Sequence, residues 1–311
     1  PAARAAAATS APAPAVEASV AVNPAPRPGP VKTTFTSAFA YGLSHPNLDP
    51  AGANDFTCRP SPAHPRPVVL LHGTYANRFN SFASMAPTLA AQGYCVFALD
   101  YGRGYLPGLY GMQAIRSSAR ELAGFVDRVL AATGAPQVDL VGYSQGGLVA
   151  RAYLKFSGGQ NPADPAHGKV ASLIGLSADN HGTTLLSLTR IVDFFRTRPL
   201  VRLLMGNSAV DQIADSPFLG ELNRPAETLP GVQYTMVATT TDEISRPANR
   251  AWLTAAPGTA VTNVLLQDGC PTDHSDHFNI TYSPRAQWIV LHTLDPTYPA
   301  PEPCKALGPL R

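Results

Sequence analysis

Residues 138–152, VDLVGYSQGGLVARA, decide how this chain is read. VDLVGY has the mainly apolar content of a strand buried on both faces, and residues 148–156 continue at helical spacing. Between them stands Gly142-Tyr143-Ser144-Gln145-Gly146, a G-x-S-x-G sequence. Glycines at its ends allow a sharp, strained turn that lifts the serine hydroxyl at the carboxyl end of a sheet. The pentapeptide alone arises by chance in many chains. Its setting between a strand and a helix makes Ser144 the candidate nucleophile and not merely part of a packing turn.

Working outward, residues 67–72 (PVVLLH) and 95–100 (CVFALD) are short apolar runs of the same kind. In residues 113–132, Ile115, Ala119, Leu122, Val126, Val129 and Leu130 recur at helical spacing, and Gly134 follows as a stop. Further strands are expected at 170–176, 234–238 and 261–266, with a last helix at 286–294. This alternation predicts a mostly parallel central sheet with helices on both faces.

The chain has 311 residues, 45% of them hydrophobic, enough for a full core, so disorder throughout is excluded. Only 14% are charged, against about 25% in an average soluble protein. A net charge of +2 supplies no field to gather phosphate backbones, so no nucleic-acid partner is expected. No apolar stretch approaches the ~18 residues of a membrane span. Four cysteines, Cys58, Cys95, Cys270 and Cys304, lack metal-ligand spacing and are read as disulfides of an oxidising compartment, in preference to buried thiols. The start at Pro1 is what a mature secreted protein shows once its leader is gone. The first 30 residues hold 12 Ala and 7 Pro, so residues 1–35 are expected to be a flexible tail and 36–311 one catalytic domain.

A serine needs a base, and its oxyanion needs preorganised donors. The apolar run at 67–72 leads into His72-Gly73-Thr74-Tyr75, which predicts the Thr74 and Gln145 amides as those donors. His72 is read as loop support and not as the base. The expected order after this turn is serine, acid, histidine. Of the downstream histidines, only His274 and His277 sit in a loop between a late strand and the last helix. His277, leading into Phe278 and Ile280, is preferred to His274. Asp242 ends the preceding strand and is preferred as acid to Asp179. Glu243, Asp268 and Asp276 are expected to cap or pair locally.

From about residue 54 to 296 the chain resembles the actinobacterial secreted lipases and esterases of the α/β-hydrolase superfamily, the group called lipase class 2. The pieces that carry the likeness are HPRPVVLLHGTYAN, GYCVFALDYG, VDLVGYSQGGLVAR, NHGTT, TDE and QDGCPTDHSDHFNITYSP. The resemblance implies Ser144, Asp242 and His277 as a triad, with Thr74 and Gln145 as the oxyanion hole. It also implies Cys58 to Cys95 and Cys270 to Cys304, one of three possible pairings.

Residues 180–229 read as a helical cap or lid insertion: Leu185, Leu188, Val192 and Phe195 share a face, with Arg190, Asp193 and Arg196 away from it, and Leu200, Leu203, Leu204 and Met205 follow. A helix packed permanently into the core fits this pattern equally. Tyr75 and Trp252 are candidate substrate-binding residues. No phosphate-loop, dinucleotide or zinc-protease sequence is present, so no cofactor and no metal is expected. The expected protein is a monomeric, secreted serine esterase or lipase that attacks apolar esters such as triacylglycerols at a lipid–water or polymer interface. Polyester hydrolysis, acyl transfer in the cell envelope with the same triad, and a non-catalytic binding role are the alternatives.

Overall fold

The computed structural model describes residues 23–161, 163–183, 205–299 and 304–309. Six strands form one parallel sheet: β1 Val68–Leu71, β2 Val96–Leu99, β3 Val138–Tyr143, β4 Val170–Leu176, β5 Gln233–Ala238 and β6 Ala260–Leu265. Their spatial order is β2-β1-β3-β4-β5-β6. Each strand lies within a residue of the bounds expected from its apolar run. The described helices are α1 Phe35–Ser44, α2 Arg78–Phe82, α3 Met85–Ala91, α4 Ile115–Thr133, α5 Gln145–Phe156, α6 Asn207–Asp211, α7 Pro217–Asn223 and α8 Pro284–Leu294.

Strand side chains alternate between two cores, as the period of two demands. Val69, Leu71, Val138 and Leu140 face α4 and α5, where Leu122, Val126, Val129 and Leu148 meet them. Val68, Leu70 and Val141 face α3 and α8, against Met85, Leu89, Ile289 and Val290. Each such side chain taken fully from water contributes about 1.5–3 kcal/mol. The apolar stripe read in residues 113–132 is the buried face of α4, which ends at Gly134 in the left-handed region (φ 73°), its N–H bonded to the Leu130 carbonyl at 2.9 Å.

The strand order places the site. After β1 the chain adds β2 on one side, then crosses to add β3 on the other. The carboxyl ends of β1 and β3 therefore border the crevice where connections leave in opposite directions, the usual ligand position in an open parallel sheet. The β1 end carries His72 to Tyr75, and the β3 end carries Ser144.

The tail boundary lies earlier than composition puts it. Asp49 accepts the Arg27 amide on its side chain (2.7 Å), its own amide donates to the Arg27 carbonyl (2.9 Å), and the Gly29 amide donates to the Asp49 carbonyl (2.8 Å). Phe35 is buried with Ala38, Phe79, Ala83 and Tyr282. An Ala/Pro-rich composition hides such pairing because the partners are backbone groups and one distant carboxylate. Residues 1–22 of the expected tail lie outside the described residues.

Both disulfides are the pairs the resemblance implies, Cys58–Cys95 and Cys270–Cys304. The first ties the segment before β1 to the β2 edge, beside Asn54, whose amide side chain pairs with both backbone groups of Ala98. That segment covers an edge that would otherwise be open. The second fastens residues 304–309 to the His277 loop, where the His274 amide donates to the Leu307 carbonyl at 2.7 Å. Since Cys58–Cys95 closes a loop of 37 residues, the double variant Cys58→Ala/Cys95→Ala is expected to lose about 2–4 kcal/mol of unfolding free energy in urea titration. An unchanged midpoint would show that the covered edge holds without it.

Candidate active site

Ser144 stands between the last residue of β3 and the first of α5 with φ 53° and ψ −122°, a conformation costly for any residue with a Cβ. It persists because the flanking glycines let backbones meet. A Cβ on Gly146 would lie 2.2 Å from the Leu71 carbonyl oxygen, and one on Gly142 would lie 2.6 Å from the Gly146 carbonyl carbon. Helix α5 thus begins directly after Ser144, three residues before the sequence reading starts it.

The structure brings the three predicted residues together. His277 Nε2 lies 2.9 Å from Ser144 Oγ, and His277 Nδ1 lies 3.0 and 3.1 Å from the two Asp242 oxygens. All three are buried. Asp242 Oδ1 also accepts the Ile244 and Ser245 amides at 2.8 and 2.7 Å. Burial opposes its charge, but His277 and these donors hold the carboxyl below its usual range. The acid and histidine loops are laced together, since the Thr239 and Thr241 hydroxyls both donate to the Ser275 carbonyl at 2.7 Å.

The rivals separate by position. His274 is exposed, facing the chain's C-terminal segment. His72 is buried, stacked on Tyr101 with ring centroids 4.1 Å apart; its Nδ1 meets the Gly73 carbonyl at 2.8 Å, and Nε2 accepts the Tyr101 amide at 3.3 Å. Burial keeps it neutral, its pKa down at about 3. It supports the loop, as expected. Asp179 makes no hydrogen bond to the imidazole among the described residues; its Oδ2 lies 3.4 Å from Ser144 Oγ, and its Oδ1 accepts from the Ser245 hydroxyl. Its burial raises its pKa. A hydroxyl has one proton, so while Ser144 donates to His277 it has none for Asp179. Glu243 pairs locally, accepting the His277 amide at 3.1 Å.

Thr74 and Gln145 meet across the crevice. Gln145 Nε2 donates to Thr74 Oγ1 at 3.0 Å and to the Gly111 carbonyl at 2.9 Å, while neither residue's own amide donates to a protein acceptor among the described residues. Gln212, in the expected insertion, was not singled out by any sequence pattern: it accepts the Thr74 hydroxyl at 3.1 Å. Only the meeting of two distant loops reveals it.

Around Ser144 lies a cavity of about 150 Å³, walled by Tyr75, Tyr143, Ala209, Ile244 and Phe278 besides the polar groups above. Tyr75 is there, its hydroxyl donating to the Met205 carbonyl at 2.6 Å. Trp252 is not. It packs, partly buried, against the core on the α4 and α5 side of the sheet, because the chain runs on to β6, where the Leu253 amide meets Asn263. A larger hollow of about 610 Å³ lies away from Ser144, between residues 24–27 and α4. Of the expected insertion, residues 184–204, including Leu185, Leu188, Arg190, Val192, Asp193, Phe195, Arg196, Leu200, Leu203 and Leu204, lie outside the described residues. Among the described residues no group of three His, Cys, Asp or Glu side chains is placed to hold a metal ion, and no helix is long and apolar enough to cross a membrane.

A family model described as "Lipase (class 2)" matches residues 65–279. Triacylglycerol lipases of Pseudarthrobacter phenanthrenivorans and Burkholderia plantarii are each 33% identical over 90 residues; the match covers 27% of this chain and 27% and 24% of theirs, about a quarter of each relative's length. Among solved structures, Aspergillus fumigatus lipase B superposes with a TM-score of 0.61 at 21% identity over 83% of this chain and 57% of its own. Mature Bacillus licheniformis lipase BlEst2 gives 0.51 at 17% over 76% and 94%. At such identities the likeness shows the α/β-hydrolase fold alone.

Gly146→Ala is expected to prevent soluble folding or lower the melting temperature by more than about 10 °C, several kcal/mol for a chain of this size. Gly124→Ala, on the exposed face of α4 with nothing within 4 Å, should instead stabilise by about 0.5–1 kcal/mol. Equal effects would discount the close approach at Gly146.

Proposed function

This chain belongs to the class 2 lipase family, and on that premise we propose that it is an exported serine carboxylic-ester hydrolase acting through an acyl-enzyme on apolar esters such as triacylglycerols. The observation that carries this reading is the continuous buried path from Ser144 Oγ through His277 to Asp242. Ser144 Oγ attacks the ester carbonyl carbon as its proton passes to His277 Nε2. Negative charge moves to the carbonyl oxygen, opposite the Thr74 and Gln145 amides, which need no reorganisation to receive it. Asp242 holds the Nδ1 proton and stabilises the imidazolium without taking that proton. As the intermediate collapses, the bond to the alcohol oxygen breaks and His277 returns its proton there. Water then repeats the sequence on the acyl-enzyme and frees the acid and Ser144.

The apolar walls at Tyr75, Ala209, Ile244 and Phe278 suit an acyl chain. Export is supported by the two disulfides, which persist in oxidising compartments.

A fluorophosphonate probe should label the protein, and Ser144→Ala should abolish labelling and lower ester hydrolysis by more than about 10³-fold. Persistent labelling of the variant would remove Ser144 as nucleophile. On p-nitrophenyl esters from acetyl to palmitoyl, rates should extend to the long chains; activity confined to acetyl esters would end the lipase reading. A polyester film and an added alcohol acceptor in the same panel separate polyester hydrolysis and acyl transfer.

Activity should also depend on pH in a defined direction. Burial by itself lowers the His277 pKa, but Asp242, with Asp179 and Glu243 beside it, outweighs burial and holds it at about 9. The base must be neutral, so kcat/KM on a soluble ester should rise with pH through about 9. Asp179→Asn removes a carboxylate that favours imidazolium and should move this limb to lower pH. A limb that stays in place would show that Asp179 carries no charge at the histidine.

A further inference from the structure

We infer that residues 101–112, between β2 and α4, form a finger whose tip, Tyr105 and Leu106, enters the lipid phase that holds the ester and turns the site toward it. This rests on the ester-hydrolase reading and names the surface through which that site meets its substrate.

The finger has a built stem. The Gly111 amide donates to the Tyr101 carbonyl and the Met112 amide to the Gly102 carbonyl, both at 2.8 Å, and the Gly104 amide donates to the Leu109 carbonyl at 3.0 Å. The Leu109 amide closes the tip on the Leu106 carbonyl at 3.2 Å, and Asn77 Nδ2 braces the Gly108 carbonyl at 2.9 Å. Such a closed loop is ordered by its own backbone, and it buries Tyr101 and Met112 at its stem while leaving the apolar side chains of its tip in water. Tyr105 is 76% exposed and Leu106 64%, and of the four large apolar side chains exposed among the described residues a third, Leu43, lies beside Gly108. Scattered exposed apolar side chains need no explanation; two at the tip of one braced loop, with a third on α1 beside its Gly108, mark a contact surface.

The finger points where the chemistry is. It leaves the carboxyl edge of the sheet, as Ser144 does, and its base is bonded to the oxyanion loop: the Tyr75 amide donates to the Tyr110 carbonyl at 2.9 Å and the Tyr110 amide to the Ala76 carbonyl at 3.0 Å. The next carbonyl, Gly111, receives Gln145 Nε2.

The shape and charge select a lipid phase over a protein. A stable protein interface buries about 800 Å² per partner around a fitted core. A convex tip of two side chains has no such area, but it needs no complementary pocket in a fluid apolar phase. Between residues 101 and 112 the one charged side chain is Arg103, and α1 carries none, so no carboxylate has to be stripped of water as the tip enters. Tyrosine, apolar with a polar end, suits the boundary itself.

The test uses the whole chain with phosphatidylcholine vesicles and triolein emulsion. Tyr105→Ser/Leu106→Ser should reduce flotation with vesicles and hydrolysis of the emulsion by about tenfold or more, while hydrolysis of soluble p-nitrophenyl butyrate stays at the parent rate. Leu106→Trp should gain a blue-shifted emission on adding vesicles. Parent-like flotation of the double variant, or no shift at the tryptophan, overturns the inference. So does a parent that dimerises through the tip, shown by a double variant that sediments as monomer. A parent that hydrolyses the soluble ester but does not float defeats the finger and leaves the esterase reading intact; one that floats through the tip but cleaves no ester does the reverse.

Discussion

Helix α5 starts so close to strand β1 that Gly146 has room for a hydrogen where other residues carry a carbon, its missing Cβ position falling 2.2 Å from the Leu71 carbonyl oxygen. That approach allows β3 to run straight into a helix with one residue, Ser144, taking the whole change of direction in a strained conformation. It also brings the first turn of α5 beside the loop after β1, so the Gln145 side chain can reach Thr74 and two potential amide donors face one space. The proposed nucleophile and the proposed oxyanion site are therefore consequences of one packing contact, and the parallel sheet is the frame that enforces it.

Around that turn the molecule manages charge by burial and pairing. His277 sits among Asp242, Asp179 and Glu243, and their fields overcome the burial that would discharge it. The three carboxylates differ in what they touch. Asp242 receives two backbone amides and the imidazole, and is held ionised. Asp179, fully buried with a serine hydroxyl on each oxygen, is pushed the other way. Glu243 takes the main-chain amide of His277, fixing the loop and leaving the ring to Asp242. Residues adjacent in sequence, Asp242 and Glu243, thus divide the imidazole and its backbone between them.

Much of this was legible in the chain because local patterns suffice for it. Apolar runs located every strand of the sheet within a residue, and a glycine-flanked serine between a strand and a helix identified the turn. Position at the end of the preceding strand then favoured Asp242 over Asp179, and the apolar residues after His277 favoured it over His274; the structure sets His277 against Asp242. What escaped depends on contacts between segments far apart. Trp252 follows the acid closely in sequence yet joins the core, whereas Gln212 carries no local signal and reaches Thr74 across 138 positions. The docked segment around Arg27 and Gly29 looked like tail because its partners are a distant carboxylate and backbone groups.

By itself, then, the sequence determined the alternation of strand and helix, the sharp turn and the three chemical types in their order, since these follow from side-chain periodicity and from what glycine permits over a few residues. Tertiary structure decided which of two acids meets the imidazole, which polar groups brace the oxyanion loop, and which aromatic lines the cavity. Those are differences of a few ångströms between loops that leave separate strands, and a one-dimensional pattern contains no such distance.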